Sequence, residues 1–258
     1  MIRTPHPTLE QVLRHARLVI SIALGALTLV SWAQMVLPND APRGGQRLMP
    51  CCGARLDVAF AMWVVMMAGM MIPSVAPMVL THAAIMRRRV MRGAPFVSSG
   101  LFLAGYLLAW SGFSAVAALA QSVLYRSALL DGHSLTIGPW AGCVVLIAAG
   151  LFQFSPAKNA CLSHCRAPLG YFVTEWREGK AGAVQMGLRH GILCVGCCWL
   201  LMAVLFAVGI MNILWGAVIT AFVVAEKVLP WPRAVVASGA ASCFVGATVL
   251  VYRAVLGM

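Results

Sequence analysis

The sequence has 258 residues, of which 61% are hydrophobic and 10% are charged. Soluble domains are usually about 45–50% apolar, so this composition predicts an integral membrane protein embedded in the lipid bilayer. The 19 Lys and Arg residues outnumber the seven Asp and Glu residues, but they are spread over the connections between apolar runs. Because no basic groove with interleaved aromatic residues occurs, we expect no nucleic acid partner. The sequence also lacks a Walker-type glycine loop and a Ser/His/Asp set, which excludes most soluble enzyme classes.

Seven apolar runs approach the roughly 20 residues that a helix needs to cross a bilayer. The runs are too long for the strands of a membrane barrel, and lipid admits only helices or closed barrels. The predicted fold class is therefore all-α, a polytopic transmembrane helical bundle of about seven helices. In chain order, the predicted helices cover about residues 18–37, 58–81, 97–121, 138–155, 191–209, 212–229 and 233–253.

The basic residues between these runs predict the topology. With the N-terminus in the cytoplasm, 14 of the 19 Lys and Arg residues lie on the cytoplasmic side, as the positive-inside rule requires. This orientation needs a tight hairpin at "VGIMN" (208–212). The predicted outer loop after the first helix contains adjacent Cys51 and Cys52, whose role the sequence leaves open. The predicted organisation is a cytoplasmic N-terminal segment at 1–17, a single transmembrane domain at 18–253, an outer loop at 38–57 and a cytoplasmic connection at 156–190.

The Met-rich stretch "MWVVMMAGMMIPSVAPM" (62–78) lies on the second predicted helix. Its methionines fall into two rows at helical spacing: Met62, Met66 and Met70, and Met67, Met71 and Met78. Pro73 and Pro77 are expected to bend or break this helix and to free backbone carbonyls that need partners. The stretch predicts a ladder of thioether ligands, with an apolar packing stripe as the alternative.

The segment "CLSHCR" (161–166) follows the fourth predicted helix and offers Cys161, His164 and Cys165. The spacing suits chelation, although a single C-x₃-C is a weaker signal than the paired motifs of zinc sites. On the predicted topology it lies in the cytoplasm, near the start of the fifth helix. The alternative is a pair of reduced structural thiols.

The stretch "HGILCVGCCWLLM" (190–202) concentrates soft ligands in an apolar run. Cys197 lies three residues after Cys194, on the same side of a helix. Thiolate and thioether groups favour Cu(I), Zn or iron–sulfur clusters over hard cations, and imidazole accepts Cu and Zn. The stretch therefore predicts a ligand-bearing helix face, and simple packing is the alternative. Four residues stand at successive four-residue steps, each drifting about 40° around the helix: His190, Cys194, Cys198 and Met202.

Glu226, next to Lys227, is the one acidic residue well within a late apolar run. If the hairpin turns near residue 210, Glu226 and Cys194 are each about sixteen residues from the turn and lie level with one another. Ionisable groups inside a membrane are candidates for function. Glu226 is therefore a candidate ligand, and an interfacial Glu–Lys pair is the alternative.

Three segments together resemble a bacterial family of predicted metal-binding integral membrane proteins, a family of unknown function. They are "AMWVVMMAGMMIPSVAPM", "AGLFQFSPAKNACLSHCRAP" and "GLRHGILCVGCCWLLMAVLFAVGIMNILWGAVITAFVVAEK", and the resemblance covers roughly residues 58–229. It implies metal binding in a bacterial inner membrane and no particular reaction. The matching positions are Met66, Met70, Met71, Pro73, Pro156, Lys158, Cys161, Cys165, Arg166, Cys194, Cys197, Cys198, Trp199, Met211, Asn212, Glu226 and Lys227.

The predicted function is to bind copper as Cu(I), and either to transport it or to deliver it to a copper-dependent membrane enzyme or a metallochaperone. Zinc and iron are the alternative metals. Methionines on the second helix would hold copper loosely and feed thiols at the cytoplasmic ends of the fourth and fifth helices, which would hold it tightly. Two other functions are open: a membrane thiol–disulfide oxidoreductase and a structural subunit of a larger membrane complex. The first would have to keep its disulfides in a reducing compartment.

Overall fold

A computed structural model describes residues 9–36, 55–131, 135–210 and 212–256. Within these ranges the chain is helical, and its only strand-like pairing is an isolated bridge between Leu130 and Ile137. Cys51, Cys52, Met211 and most of the predicted outer loop lie outside the described residues. The described helices are α1 (Leu9–Val36), α2 (Leu56–Val90), α3 (Ser99–Arg126), α4 (Pro139–Phe152), α5 (Pro156–Arg166), α6 (Pro168–Glu175), α7 (Gly179–Ala203), α8 (Leu205–Val208), α9 (Ile213–Val228) and α10 (Pro232–Val255).

The all-α class is confirmed for the described residues, and each of the seven apolar runs coincides with one or more helices. The length of these helices gives a smaller number of candidate spans than the predicted seven. Within the described part of the chain, four helices are long and apolar enough to cross a membrane, and α4 with α5, bent by 64°, is a fifth if the pair counts as one span. The apolar part of α1 (Leu18–Ala33) and α9 have 16 residues each, or about 24 Å of helix, which is short of a hydrocarbon core of about 30 Å.

The connection predicted at 156–190 is largely helical, because it contains α5, α6 and the first half of α7. Hydropathy predicts that the fifth helix begins near residue 191, whereas α7 begins at Gly179. The added turns contain good helix formers such as Ala, Gln, Met and Leu, but also charged residues that lower the apolar average. His190 therefore lies within a helix and not at its beginning.

The two prolines of α2 do not break it, since the helix continues from Leu56 to Val90. Pro73 lacks the N–H that would bond the carbonyl of Gly69. The indole nitrogen of Trp32 on α1 donates to that carbonyl oxygen at 3.3 Å. The predicted need for a partner is thus met by a neighbouring helix, and the bond ties α1 to α2.

Helix α7 packs closely against α3 because glycines remove the side chains between them. A β-carbon at Gly187 would lie 1.9 Å from the carbonyl oxygen of Phe102, and one at Gly105 would lie 2.1 Å from that of Val184. Helix α2 packs against α1 and α3, α5 packs against α7, and α10 packs mainly against α4. Helices α2, α3, α5, α7 and α9 therefore surround the region that contains the soft ligands.

The helical structure is interrupted between α8 and α9, where the sequence predicts a hairpin. Gly209 has a φ of +105°, a backbone conformation that glycine adopts without a steric penalty. The side chain of Asn212 then caps α9 by accepting from the backbone N–H of Trp215 at 3.3 Å. This break lets α9 bring its C-terminal residues back to the middle of α7.

Candidate metal centre

Three thiols from two helices converge in the buried centre of the protein. Cys165 lies near the end of α5, and Cys194 and Cys197 lie on α7. Their Sγ atoms are all within 4.8 Å of one another, and all three residues are buried. We call Cys165, Cys194 and Cys197 the thiol group. Its size and composition are those of a site that can hold a soft metal ion.

The local sequence explains why α5 reaches α7 at this point. Helix α5 begins at Pro156, after Ser155, whose hydroxyl accepts from the backbone N–H of Lys158 at 3.0 Å. Gly196 on α7 allows a close approach, because a β-carbon there would lie 3.1 Å from Sγ of Cys161. Cys161 is thus half-buried against α7, one turn of helix before Cys165, and lies outside the thiol group.

Cys198 is buried on α7 beside the thiol group, one helical turn after Cys194. Its thiol donates to the carbonyl oxygen of Cys194 at 2.9 Å, and the thiol of Cys197 donates to the same oxygen at 3.0 Å. Both bonds satisfy the thiol protons within the helix. Each sulfur becomes a stronger ligand once its proton is lost.

Lys227 supplies a positive charge at the thiol group. Its Nζ donates to Sγ of Cys194 at 3.0 Å and to Oγ of Ser74 at 2.9 Å. The hydroxyl of Tyr106 lies 3.1 Å from the same sulfur and 3.4 Å from Ser74. The sulfur of Cys194 therefore contacts polar groups from two other helices, and Ser74 on α2 contacts both of those groups. The ammonium group favours negative charge on the sulfur.

A buried ion pair lies next to this network. Nζ of Lys158 is 2.6 Å from Oε1 of Glu226 and also donates to Oε1 of Gln153. Arg166 donates to the main-chain oxygens of Glu226 and Leu229, at 2.8 and 2.5 Å, which ties the end of α5 to the end of α9. Because Lys158 neutralises Glu226, Lys227 remains as a buried cation without a carboxylate partner among the described contacts.

His190 lies one helical turn before Cys194, in an aromatic setting. It is 1% exposed, and its Nδ1 has no hydrogen-bond partner among the described residues. Its ring contacts those of Phe102, Tyr106 and Tyr171 at centroid distances of 6.0, 5.8 and 5.2 Å. Burial raises the pKa of Tyr171, so this phenol stays protonated and donates to the carbonyl oxygen of Met186 at 2.7 Å.

The remaining predicted ligands differ in exposure and in their partners. His164 is exposed and bonds the carbonyl oxygen of Ala160 at 2.9 Å. Glu226 forms an ion pair with Lys158. Its neighbour Lys227 contacts Sγ of Cys194, at the height along α9 where the sequence predicts Glu226. Met62 is half-buried, and the other predicted methionine ligands are fully buried: Met66, Met67, Met70, Met71 and Met202.

The sequence predicts no role at the thiols for Ser74 or Tyr106, and it places Lys227 beside Glu226 and among the positions of the family resemblance. The available signal is weak, since each residue is a single polar position within an apolar helix. Lys158 is also among the positions of that resemblance. A lysine that is 0% exposed inside a protein requires a charged partner, which Glu226 provides.

The comparison with protein families identifies a copper-related chain. The model of the PpoB2 copper chaperone family matches residues 60–250, which include the whole thiol group and Lys227. The match covers well over half of the sequence, so the chain belongs to this copper chaperone family. No curated protein and no solved structure matches it. The family membership confirms the expectation of a copper-related protein.

Proposed function

We propose that this member of the copper chaperone family is an integral membrane protein that binds Cu(I) at Cys165, Cys194 and Cys197. It then delivers the ion to a copper-dependent membrane enzyme or to another metal carrier. The observation that carries the proposal is the convergence of three buried thiols within 4.8 Å in a copper chaperone. Copper is the cargo of this site and not a permanent cofactor.

The ligand set favours Cu(I) over zinc and iron. Thiolates select Cu(I), Zn and iron–sulfur clusters, but structural zinc sites and iron–sulfur clusters normally use four protein ligands. The thiol group offers three, and His190 and Glu226 are not among them. A three-coordinate sulfur site is therefore better matched to Cu(I) than to a tetrahedral ion.

Lys227 offsets negative charge at the thiol group. Three thiolates with one Cu(I) would carry a net charge of about −2, and the ammonium group of Lys227, at 3.0 Å from Cys194, would lower it to about −1. Loss of this cation would leave more uncompensated charge in the buried site.

The apolar helices support a location in the bacterial inner membrane. Among the described residues, four or five candidate spans are long and apolar enough to cross a membrane, and one of them, α2, carries two rows of methionines. Thioethers bind Cu(I) more loosely than thiolates, so copper would move along α2 towards the thiols. The seven crossings and the cytoplasmic N-terminus belong to this proposal. On that topology, a Lys180→Cys variant resists labelling by an impermeant reagent added to intact cells, and efficient labelling would invert the orientation.

Metal analysis of the protein purified in detergent, without oxygen and with a reductant, tests the copper site. We expect about one tightly bound Cu(I) per chain and its loss in Cys194→Ser and Cys197→Ser. Cys143→Ser and Cys243→Ser are matched controls, because both cysteines are buried but lie outside the thiol group. They should keep the copper.

The same preparation separates the rival functions. All seven described cysteines are free thiols. A disulfide between α5 and α7 that survives alkylation, with no bound copper, would replace the proposal by a thiol oxidoreductase. Absence of both would leave a structural subunit.

A further inference from the structure

We propose a second Cu(I) site at His82, Met86 and Met186, which would pass copper to or from the thiol group. It rests on the proposed copper function and extends it. His82 and Met86 lie one turn apart on α2, and Met186 lies on the first half of α7. All three residues lie outside the motifs from which the sequence predicts metal ligands.

His82 carries a ring nitrogen that lacks a partner. The residue is 0% exposed, its Nδ1 lies 2.9 Å from Oγ of Ser99, and its Nε2 has no hydrogen-bond partner among the described residues. Buried polar atoms are almost always paired, so an unpaired one needs an explanation. With the proton on Nδ1 and donated to Ser99, Nε2 presents a lone pair, which is the arrangement of a metal-binding histidine.

A small cavity lies beside this histidine. His82, Met86 and Met186 contribute to its lining, and its volume is about 10 Å³, roughly the space of one water-sized occupant. Met86 and Met186 are 4% and 2% exposed. The sulfur of Met186 accepts one hydrogen bond, from the backbone N–H of Arg177 at 3.3 Å, and retains a second lone pair. One imidazole and two thioethers form a neutral, soft ligand set that suits Cu(I).

The cavity lies just below the surface at the connection between α6 and α7. Trp176 covers His82, with the two ring centroids 5.8 Å apart. The Trp176 indole donates to Glu178 at 3.0 Å, and Arg89 lies over its ring at 4.9 Å while pairing with Glu178. These exposed polar contacts can open without unfolding a helix. The cavity is therefore a suitable place for copper to enter or leave.

Contacts continue from this cavity to the thiol group. The ring of Phe102 stacks on His82 at 5.5 Å and on His190 at 6.0 Å. His190 stacks on Tyr106, whose hydroxyl contacts Cys194 at 3.1 Å. Nδ1 of His190 also has no hydrogen-bond partner in the part of the chain that the structure describes, so His190 is a candidate intermediate ligand between the two sites. The affinity for Cu(I) would be low at the thioethers and high at the thiols.

Chelator competition on the full chain in detergent tests the second site, with Cu(I) alone as the probe. We expect the wild-type protein to bind about two Cu(I), one removed by a weak chelator and one removed only by a strong chelator. Met86→Leu/Met186→Leu should lose the weakly held ion and keep the other. Cys194→Ser/Cys197→Ser should show the reverse. Met91→Leu, at an exposed methionine after α2, is the control and should keep both.

Copper X-ray absorption of the Cys194→Ser/Cys197→Ser variant gives an independent readout. We expect imidazole scattering from the remaining copper, and its loss in a further His82→Gln change, while His164→Gln leaves it unchanged. Variants are compared only when their size-exclusion profiles and melting temperatures match the parent. One tightly held Cu(I) with no weakly held ion would overturn the second site and leave the proposed function intact. Absence of tightly held copper would overturn the proposed function itself.

Discussion

The thiol group and the methionine rows of α2 contain equally soft ligands, yet they are arranged differently. The thiols come from α5 and α7, and their sulfurs lie within 4.8 Å of one another. The methionines of α2 lie on one helix, where positions four residues apart are separated by about 6 Å along the axis. One ion can contact at most two neighbouring methionines of such a row. A chelating site therefore needs ligands from two elements that meet.

Charge separates the two regions as well. Lys227 lies against Cys194, and the Lys158–Glu226 pair lies beside it. Met66 and Met70 offer neutral thioethers, which can bind a cation without deprotonation. The thiol group thus combines tight binding with a fixed charge, whereas the rows are suited to brief contacts during transfer.

Loss of the thiols should have the largest effect on Cu(I) affinity. In Cys194→Ser/Cys197→Ser, two of three sulfur ligands are lost, so Cu(I) affinity at this site should fall by more than about 1000-fold, beyond the 10–100-fold typical of outer-shell changes. Competition with a strong Cu(I) chelator measures it. Cys143→Ser/Cys243→Ser should match the wild type, and an equal loss there would remove the distinction between the thiol group and ordinary buried cysteines.

Removal of the charge at the thiols should have a smaller effect. Lys227→Leu removes the cation 3.0 Å from Cys194 and introduces no new ligand. We expect a decrease in Cu(I) affinity of about 10–100-fold with the bound stoichiometry unchanged. Chelator competition at constant pH provides the measurement, with the exposed Lys180→Leu as control. Wild-type affinity in Lys227→Leu would mean that the charge does not support the site.

The packing of α3 against α7, which positions the cysteines, can be perturbed without touching a ligand. Gly187→Ala places a β-carbon 1.9 Å from the carbonyl oxygen of Phe102. We expect the free energy of unfolding to fall by about 1–3 kcal/mol, as overpacking usually costs. Gly112→Ala, with nothing within 4 Å, should instead gain about 0.5–1 kcal/mol of helix stability. Denaturant unfolding in detergent compares them, and equal values would contradict the close approach.

The smallest effect is expected from the methionine rows. Met66→Leu/Met70→Leu preserves apolar volume and should change Cu(I) affinity at the thiols by less than about 3-fold. Cellular copper uptake should nevertheless slow, if copper moves along α2. Unchanged uptake would exclude the inward route, and a large loss of equilibrium affinity would show that these methionines belong to the tight site.

The cysteines of α7 show how much of the site can be predicted from the sequence. Helical spacing predicts one face with His190, Cys194, Cys198 and Met202, and with Cys197 on the same side as Cys194. The structure brings Cys194 and Cys197 of this set within 4.8 Å of Cys165. Spacing defines the positions of residues around their own helix, but it contains no information about which neighbour approaches, and here α5 approaches α7 at Gly196.

Helix α9 gives a second example. Counting residues from the break at 208–212 predicts that the acidic end of α9 lies level with Cys194. At that height along α9, Lys227 contacts the sulfur of Cys194, and Glu226 forms an ion pair with Lys158. Adjacent residues differ by about 100° around a helix, so the axial count predicts height and not direction.

Composition and local periodicity predict the helical class, the apolar runs, the excess of soft ligands and their positions within each helix. These features depend on neighbouring residues alone. The packing of the helices sets which sulfurs meet, brings Lys227 to the thiols, and places His82 beside a cavity with two methionines. These properties depend on the packing of residues that are distant in the sequence, such as Cys194 and Lys227, 33 positions apart, and Ser74 and Lys227, 153 positions apart, whose relative placement no local pattern contains.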